Sequence, residues 1–271
     1  MKGTKARFAL NVRHKGIKRV YIGLIFLFMY APIALLIVQS FNKSKSRGRW
    51  GGFTLEWYRS LFTDASIGEA FRNTILLALL SSLIAVILGT AAVICMSGMK
   101  KRYRQVLMGI TNVPMLNADI VTGVSFMLLF LTLRIQFGFG TILLAHITFN
   151  IPYVILNVMP SYRELNPHIY EAALDLGASP AYAFFKTVLP EIMPSIISGG
   201  LMAFTMSLDD FIITHFTAGA GVHTLSTKIY SEVKLGIKPE MYALSAMIFI
   251  TVLVLLIVVN RVPSGNAEKE G

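Results

Sequence analysis

Apolar residues along this chain gather into long runs rather than alternating with polar ones. Six stand out, at about 20–41, 73–97, 106–133, 138–159, 192–216 and 241–260. A membrane helix needs roughly 20 mostly apolar residues. The pattern therefore predicts an all-α integral membrane protein with six spans. The first run, "YIGLIFLFMYAPIALLIVQSF", is too long for a signal-peptide core and lacks a small-residue cleavage site after it, so it is expected to stay as a span. Pro32 is expected to kink it. The second run places Ser, Gly and Ala at helical spacings, which lets helices approach closely. The third and fourth runs are interrupted by "NVPMLNAD" and "NIPYVILN". Interrupted spans persist where protein or water satisfies the freed backbone, so these two are expected to line something.

Between the fourth and fifth runs the pattern changes. "NPHIYEAALDLGASPAYAFFKTVLP" (166–190) is polar, rich in small residues and punctuated by Gly and Pro. Asn166 can cap a helix whose first residue is Pro167. Gly177 suits the left-handed position that ends it. Ser179 and Pro180 repeat the start signal, and a second short helix should stop before Pro190. Ala172 and Ala173 leave a low surface for a packing partner. Tyr182, Phe184 and Phe185 are large apolar groups on an exposed element. They suit an interfacial anchor or a partner's groove equally.

Composition sharpens the membrane reading. The chain is 55% hydrophobic and 14% charged, against about 25% charged in soluble domains. The net charge of +11 does not point to nucleic acid, because Lys and Arg lie just outside the apolar runs. Seven of them fall in residues 1–19, and "KKRYR" follows the second run. That pattern places the N-terminus in the cytoplasm, and six spans return the tail, 261–271, to the same side. Counted this way the inside holds fifteen Lys and Arg and the outside ten. The domain reading is a basic N-terminus (1–19), one six-helix transmembrane domain (20–260) and a polar tail. The single cysteine, Cys95, lies inside an apolar run and is read as a packing residue. "SKSRGRW" in the first external loop is read as solvated.

Ionisable groups within the runs need a compensating environment, since a charge at mid-membrane costs on the order of 3 kcal/mol on insertion scales. Asp209 and Asp210 follow Ser207 in the fifth run, and Asp119 lies in the broken third. On a continuous helix Ser207, Asp210 and Thr214 share one face, at i, i+3 and i+7. Asp209 would point about 100 degrees away. Asp210 is therefore expected to face a wet pathway, with Asp209 packing elsewhere. The alternative is that the acids cap broken helices or bond between helices. His146 and His215 are read as interhelical hydrogen-bonding groups, and Arg134 as snorkelling to an interface. No metal site is expected.

The spacing "EAA", three residues, Gly, nine residues, Thr187, one residue, then "LP" resembles the EAA loop of permease subunits of ATP-binding-cassette importers. Glu171, Ala172, Ala173, Gly177, Leu189 and Pro190 carry the match. Thr187 departs from the family's usual Ile. The resemblance implies that this loop seats in a groove of a cytoplasmic ATPase. "SLDDFIITHF", "LSTKIYSEVKLGIKPEMYALSAM" and "AHITFNIPYVILNV" are similar to the second permease of spermidine/putrescine importers. Permeases for thiamine, iron and phosphonates share parts of these segments. The resemblance implies a homologous second permease, two ATPase subunits, an extracytoplasmic binding protein and no cofactor. A substrate pathway through Asp210, Asp209, Ser207, Thr214 and Asp119 would suit a polycation. The chain has no GxxxxGK[ST] loop, HExxH or GxSxG, so ATP chemistry is assigned to another subunit. A self-contained secondary transporter would call for internal inverted repeats, and none is visible.

Overall fold

The computed structural model describes residues 15–44, 49–235 and 238–261. Lys2, Lys5, Arg7 and Arg13 of the basic N-terminus, positions 45–48 of the first external loop and the tail from 262 lie outside these residues. The described chain is helical. In order come α1 (Lys15–Ser40), α2 (Glu56–Thr63), α3 (Ala65–Ser97), α4 (Lys101–Leu116), α5 (Asp119–Thr132), α6 (Phe139–Glu164), α7 (Pro167–Asp175) and α8 (Pro180–Ala183). A π turn (Phe184–Val188), α9 (Leu189–Asp209), α10 (Ile212–Thr217), α11 (Leu225–Leu235) and α12 (Pro239–Arg261) follow.

Among the described residues four helical stretches are long and apolar enough to cross a membrane: Lys18–Ser40, Ala65–Ser97, Phe139–Glu164 and Pro180–Asp209. The pair α4 and α5 adds a fifth if counted as one span, although it bends by 104° between Leu116 and Asp119. The third run is thus not a straight helix. α3 begins at Ala65, earlier than its apolar run, because Glu69, Arg72 and Asn73 extend the helix beyond the apolar stretch.

The chain forms two compact units. One holds the described residues up to Asp64 with Glu232–Thr251. Its α1 continues through Pro32 and is apolar on every side, with Phe28 84% exposed. After α1, Asn42 closes a loop. Its amide donates to Gln39 Oε1 (2.8 Å) and the Arg49 carbonyl (2.9 Å). Its Oδ1 accepts from the backbone N–H groups of Ser44 (3.0 Å) and Gly51 (2.8 Å). Trp57 Nε1 donates to its carbonyl at 2.8 Å, and Phe41 stacks on Phe53.

The other unit holds Ala65–Ser231 with the described residues from Val252. Its core is the three-helix contact of α3, α6 and α9, built on Ala85, Val93, Val154, Val158, Ile192 and Ala203. Lipid tails are as apolar as these side chains, so close packing rather than transfer from water holds them together. Gly89 sets the α3–α6 distance: a Cβ there would lie 2.8 Å from Val154 Cγ1. The small residues of the second run therefore act in helix packing. A second cluster joins Phe130 of α5, Ala145 and Phe149 of α6 and Ile213 of α10.

Candidate functional site

Two regions of the larger unit bring predicted residues together. The first is the break in the fifth run. α9 ends at Asp209, Asp210 is extended (φ −60, ψ 126), and α10 starts at Ile212. The Asp210 carboxylate supplies what the broken backbone lacks. It accepts from the N–H groups of Ile213 (3.3 Å) and Thr214 (2.8 Å) and from Thr214 Oγ1 (2.9 Å). Side-chain capping of this kind contributes about 0.5–2 kcal/mol.

His146 of α6 sits against this cap and is fully buried. Its Nε2 lies 2.9 Å from Thr214 Oγ1 and 3.4 Å from Asp210 Oδ2, and its Nδ1 lies 2.6 Å from Ser207 Oγ. Counting hydrogens assigns the direction. Thr214 spends its one O–H on Asp210, so Nε2–H of His146 donates to Thr214. In the neutral ring Nδ1 then accepts from Ser207. Ser207 in turn accepts from Ser81 Oγ of α3 at 3.0 Å, and Ser81 accepts from Asn150 Nδ2 at 3.4 Å. One chain of hydrogen bonds thus runs from Asn150 through Ser81, Ser207, His146 and Thr214 to Asp210. It ties α3, α6, α9 and α10 at one level. Every link is donor to acceptor, which makes such a buried network a specific fastening. Asn150 Oδ1 is left without a partner within the described residues.

The geometry corrects the assumption of one continuous helical face. Ser207, Asp210 and Thr214 do meet, but around a cap at a helix break rather than along a stripe. The Asp210 side chain is 10% exposed, whereas Asp209 is exposed at the end of α9. Beyond the break the Phe211 ring lies 4.3 Å from that of Tyr230 and 5.3 Å from that of His215. Asp119 is exposed at the start of α5, where a carboxylate complements the helix dipole. His146 acts between helices, as expected. His215 is exposed and ring-stacked. Ser81 and Asn150 were not singled out from the sequence; a polar side chain in an apolar run was the available signal.

The second region is 166–190. Asn166 Oδ1 accepts from the His168 N–H at 3.0 Å, opening α7. Gly177, at φ +84, closes it. Gly177 N–H donates to the Leu174 carbonyl (2.9 Å) and Ala178 N–H to the Ala173 carbonyl (3.1 Å). This pair of bonds is the Schellman arrangement. Ser179 Oγ accepts from the Tyr182 N–H at 3.3 Å and opens α8. The second short helix does not stop before Pro190. It passes through the π turn into α9, and the shifted ladder there, with Leu189 N–H bonded to the Phe184 carbonyl, directly precedes Pro190. Glu171 is exposed and its carboxylate lies 3.1 Å from His168 Nδ1. Ala172 is exposed, Ala173 half-buried, and Leu189 packs on the main core. Ala173, Leu176, Gly177, Ala178, Ser179 and Tyr182 line a surface depression at the bend. Leu176 is 90% exposed there.

The larger unit thus combines apolar helices long enough to cross a membrane with a bent, exposed two-helix loop and a polar fastening in its core. Residues 85–262 match the family described as binding-protein-dependent transport system inner membrane component, and the chain belongs to that family. It is 34% identical over 247 residues to the spermidine/putrescine transport system permease protein PotC of Shigella flexneri, covering 91% of this chain and 94% of that one. It is 40% identical over 230 residues to the putrescine transport system permease protein PotI of Escherichia coli K12, covering 82% of each. Among solved structures it is similar to a bacterial ABC transporter involved in the import of the acidic polysaccharide alginate. The TM-score is 0.64 at 17% identity, over 94% of this chain and 97% of that one. The MetNI methionine ABC transporter matches with a TM-score of 0.59 at 16% identity, over 77% and 97%. At such identities the structures share the fold. The family expected from the loop motif is the one found.

Proposed function

We propose that this chain is a membrane subunit of an ATP-driven importer of polyamines of the spermidine and putrescine type. The observation that carries the proposal is the 34% and 40% identity, over most of both chains, to permeases named for spermidine/putrescine and putrescine transport. The chain crosses the membrane six times with both termini in the cytoplasm, and 20–260 is one permease domain. It pairs with a homologous second permease. Two cytoplasmic ATPase subunits hydrolyse ATP, and an extracytoplasmic binding protein delivers substrate.

The bend at Gly177 is the ATPase contact. Glu171, Ala172 and Ala173 present its low face, while Leu189 and Pro190 join it to α9. α8, the π turn and α9 run without interruption from Pro180 to Asp209. A displacement at the bend is therefore carried along a packed rod to the break at Asp210. There the His146 chain fixes the rod to α3 and α6.

For a polycation the path needs carboxylates and aromatic faces. Of the three acids within the apolar runs, Asp209 and Asp119 are the exposed ones, and the Phe211–His215–Tyr230 cluster follows Asp209 in the chain. Ser207, Asp210 and Thr214 hold the path's shape. The test is ATP-dependent uptake of labelled spermidine by the four-component assembly in liposomes. Asp209→Asn should slow uptake by about tenfold or more, the loss of one charge-assisted contact. An intact assembly that hydrolyses ATP but carries no polyamine would overturn the reading.

A further inference from the structure

The geometry of α4 points to a site for anionic phospholipid. This helix contributes no fully buried side chain, and it lies at 104° to the helix that follows. α5 has 14 residues, about 21 Å, which is roughly 9 Å short of the hydrocarbon core. A helix in the membrane plane supplies the missing depth, since interfacial helices sit about 5–10 Å into the headgroup boundary. One face of α4 packs on the core through Leu107 and Met108, beside Tyr162, Leu165 and Leu189. That contact puts α4 at the end of the bundle where the 166–190 loop emerges.

A second face carries Tyr103, Val106, Ile110 and Val113, exposed by 51–64%. They recur at three- and four-residue spacing, so they form one apolar stripe. Lys100, Lys101, Arg102 and Arg104 stand at the start of the helix. Among the described residues none of them makes a salt bridge. Four cations oppose the helix dipole there, so an external anion is the fitting partner. A cleft of about 800 Å³, lined by Met99, Lys100, Arg102, Tyr103, Val106 and Leu107, joins the charges to the stripe. Basic rim and apolar floor match a phosphate headgroup and the start of its acyl chains. The bilayer covers both features at once, its acyl region taking the stripe and its phosphates the basic rim. We propose that α4 is an interfacial helix whose Lys100–Arg102 cleft holds an anionic phospholipid of the cytoplasmic leaflet. The leaflet rests on the topology proposed above; depth and lipid selectivity do not.

The test uses the full-length chain with Cys95→Ser in nanodiscs of phosphatidylglycerol with phosphatidylethanolamine, and of phosphatidylcholine alone. Nitroxides at Val106→Cys and Gln105→Cys report depth. Val106 should favour oxygen collisions and Gln105 the aqueous nickel chelate. Native mass spectrometry should show retained phosphatidylglycerol, falling about fivefold for each charge removed in Lys100→Gln and Arg102→Gln. Lys100→Arg should retain it. A Val106 label open to the chelate in bilayers overturns the proposal, as does equal retention in the Gln variants. Shielding of Val106 that appears only when the cytoplasmic ATPase is added would assign the face to a protein instead.

Discussion

Asp210→Ala removes the cap of α10 and the end of the buried hydrogen-bond chain in one change. The carboxylate accepts three hydrogen bonds, at 3.3, 2.8 and 2.9 Å. Loss of the backbone cap costs about 1–2 kcal/mol. Interhelical hydrogen bonds within membranes are worth only about 0.6 kcal/mol each, because the separated helices find other partners. Loosening the Thr214–His146 link therefore adds little, and the expected cost is about 2 kcal/mol. Asp210→Asn keeps one accepting oxygen but turns a donor toward the Ile213 or Thr214 N–H. It should cost about 1 kcal/mol, one neutral hydrogen bond. Asp209→Ala, at an exposed position, should stay within about 0.5 kcal/mol. The assay is reversible unfolding of the full chain in mixed micelles titrated with dodecyl sulfate, followed by circular dichroism. Proteolysis between α9 and α10 reports on the break itself. Equal stability of Asp210→Ala and the parent would refute the capping role, and so would an equal loss in Asp209→Ala.

Other expectations follow from the same geometry. Cysteines at Ser44 and Ser179, in a chain lacking Cys95, should label oppositely with an impermeant reagent; equal labelling from outside defeats the topology. Gly177→Pro should abolish the coupling bend, since the ring cannot adopt φ +84 and the bond from Gly177 N–H to Leu174 is lost. Glu171→Lys should weaken ATPase co-purification while leaving the chain in the membrane, and normal substrate-stimulated hydrolysis in both variants would remove 166–190 from the coupling role. Gly89→Val should destabilise the α3–α6 contact by about 1–3 kcal/mol through overpacking, read as a lowered unfolding midpoint. Asn42→Ala should speed tryptic cleavage after Arg49 by several-fold, because it removes the side chain that closes that loop.

What could be read from the sequence was local. Asn166, Gly177 and Ser179 each specify a backbone conformation through their own side chain or its absence, so helix starts and the bend stood out. Pro190 misled because proline opens a helix as readily as it closes one. The π turn before it shifts the hydrogen-bond ladder, and the helix continues through Pro190 into α9 with Leu189 packed on the core. Hydropathy likewise measured bilayer contact rather than helix length, which is why α3 extends back to Ala65 through polar residues.

The break at Asp210 had no such local mark. "SLDDFIITHF" contains neither Gly nor Pro, and helical spacing alone put Ser207, Asp210 and Thr214 on a stripe. An uninterrupted helix would satisfy its own backbone, and the carboxylate would then need partners elsewhere. The break solves both needs together: the freed N–H groups of Ile213 and Thr214 become the partners of the Asp210 carboxylate. It is fastened by His146, which is 61 and 68 residues away in sequence from Ser207 and Thr214. Ser81 of α3 completes the fastening. The conformation of residue 210 is therefore a property of four helices meeting, and Asp209 is left as the carboxylate presented outward.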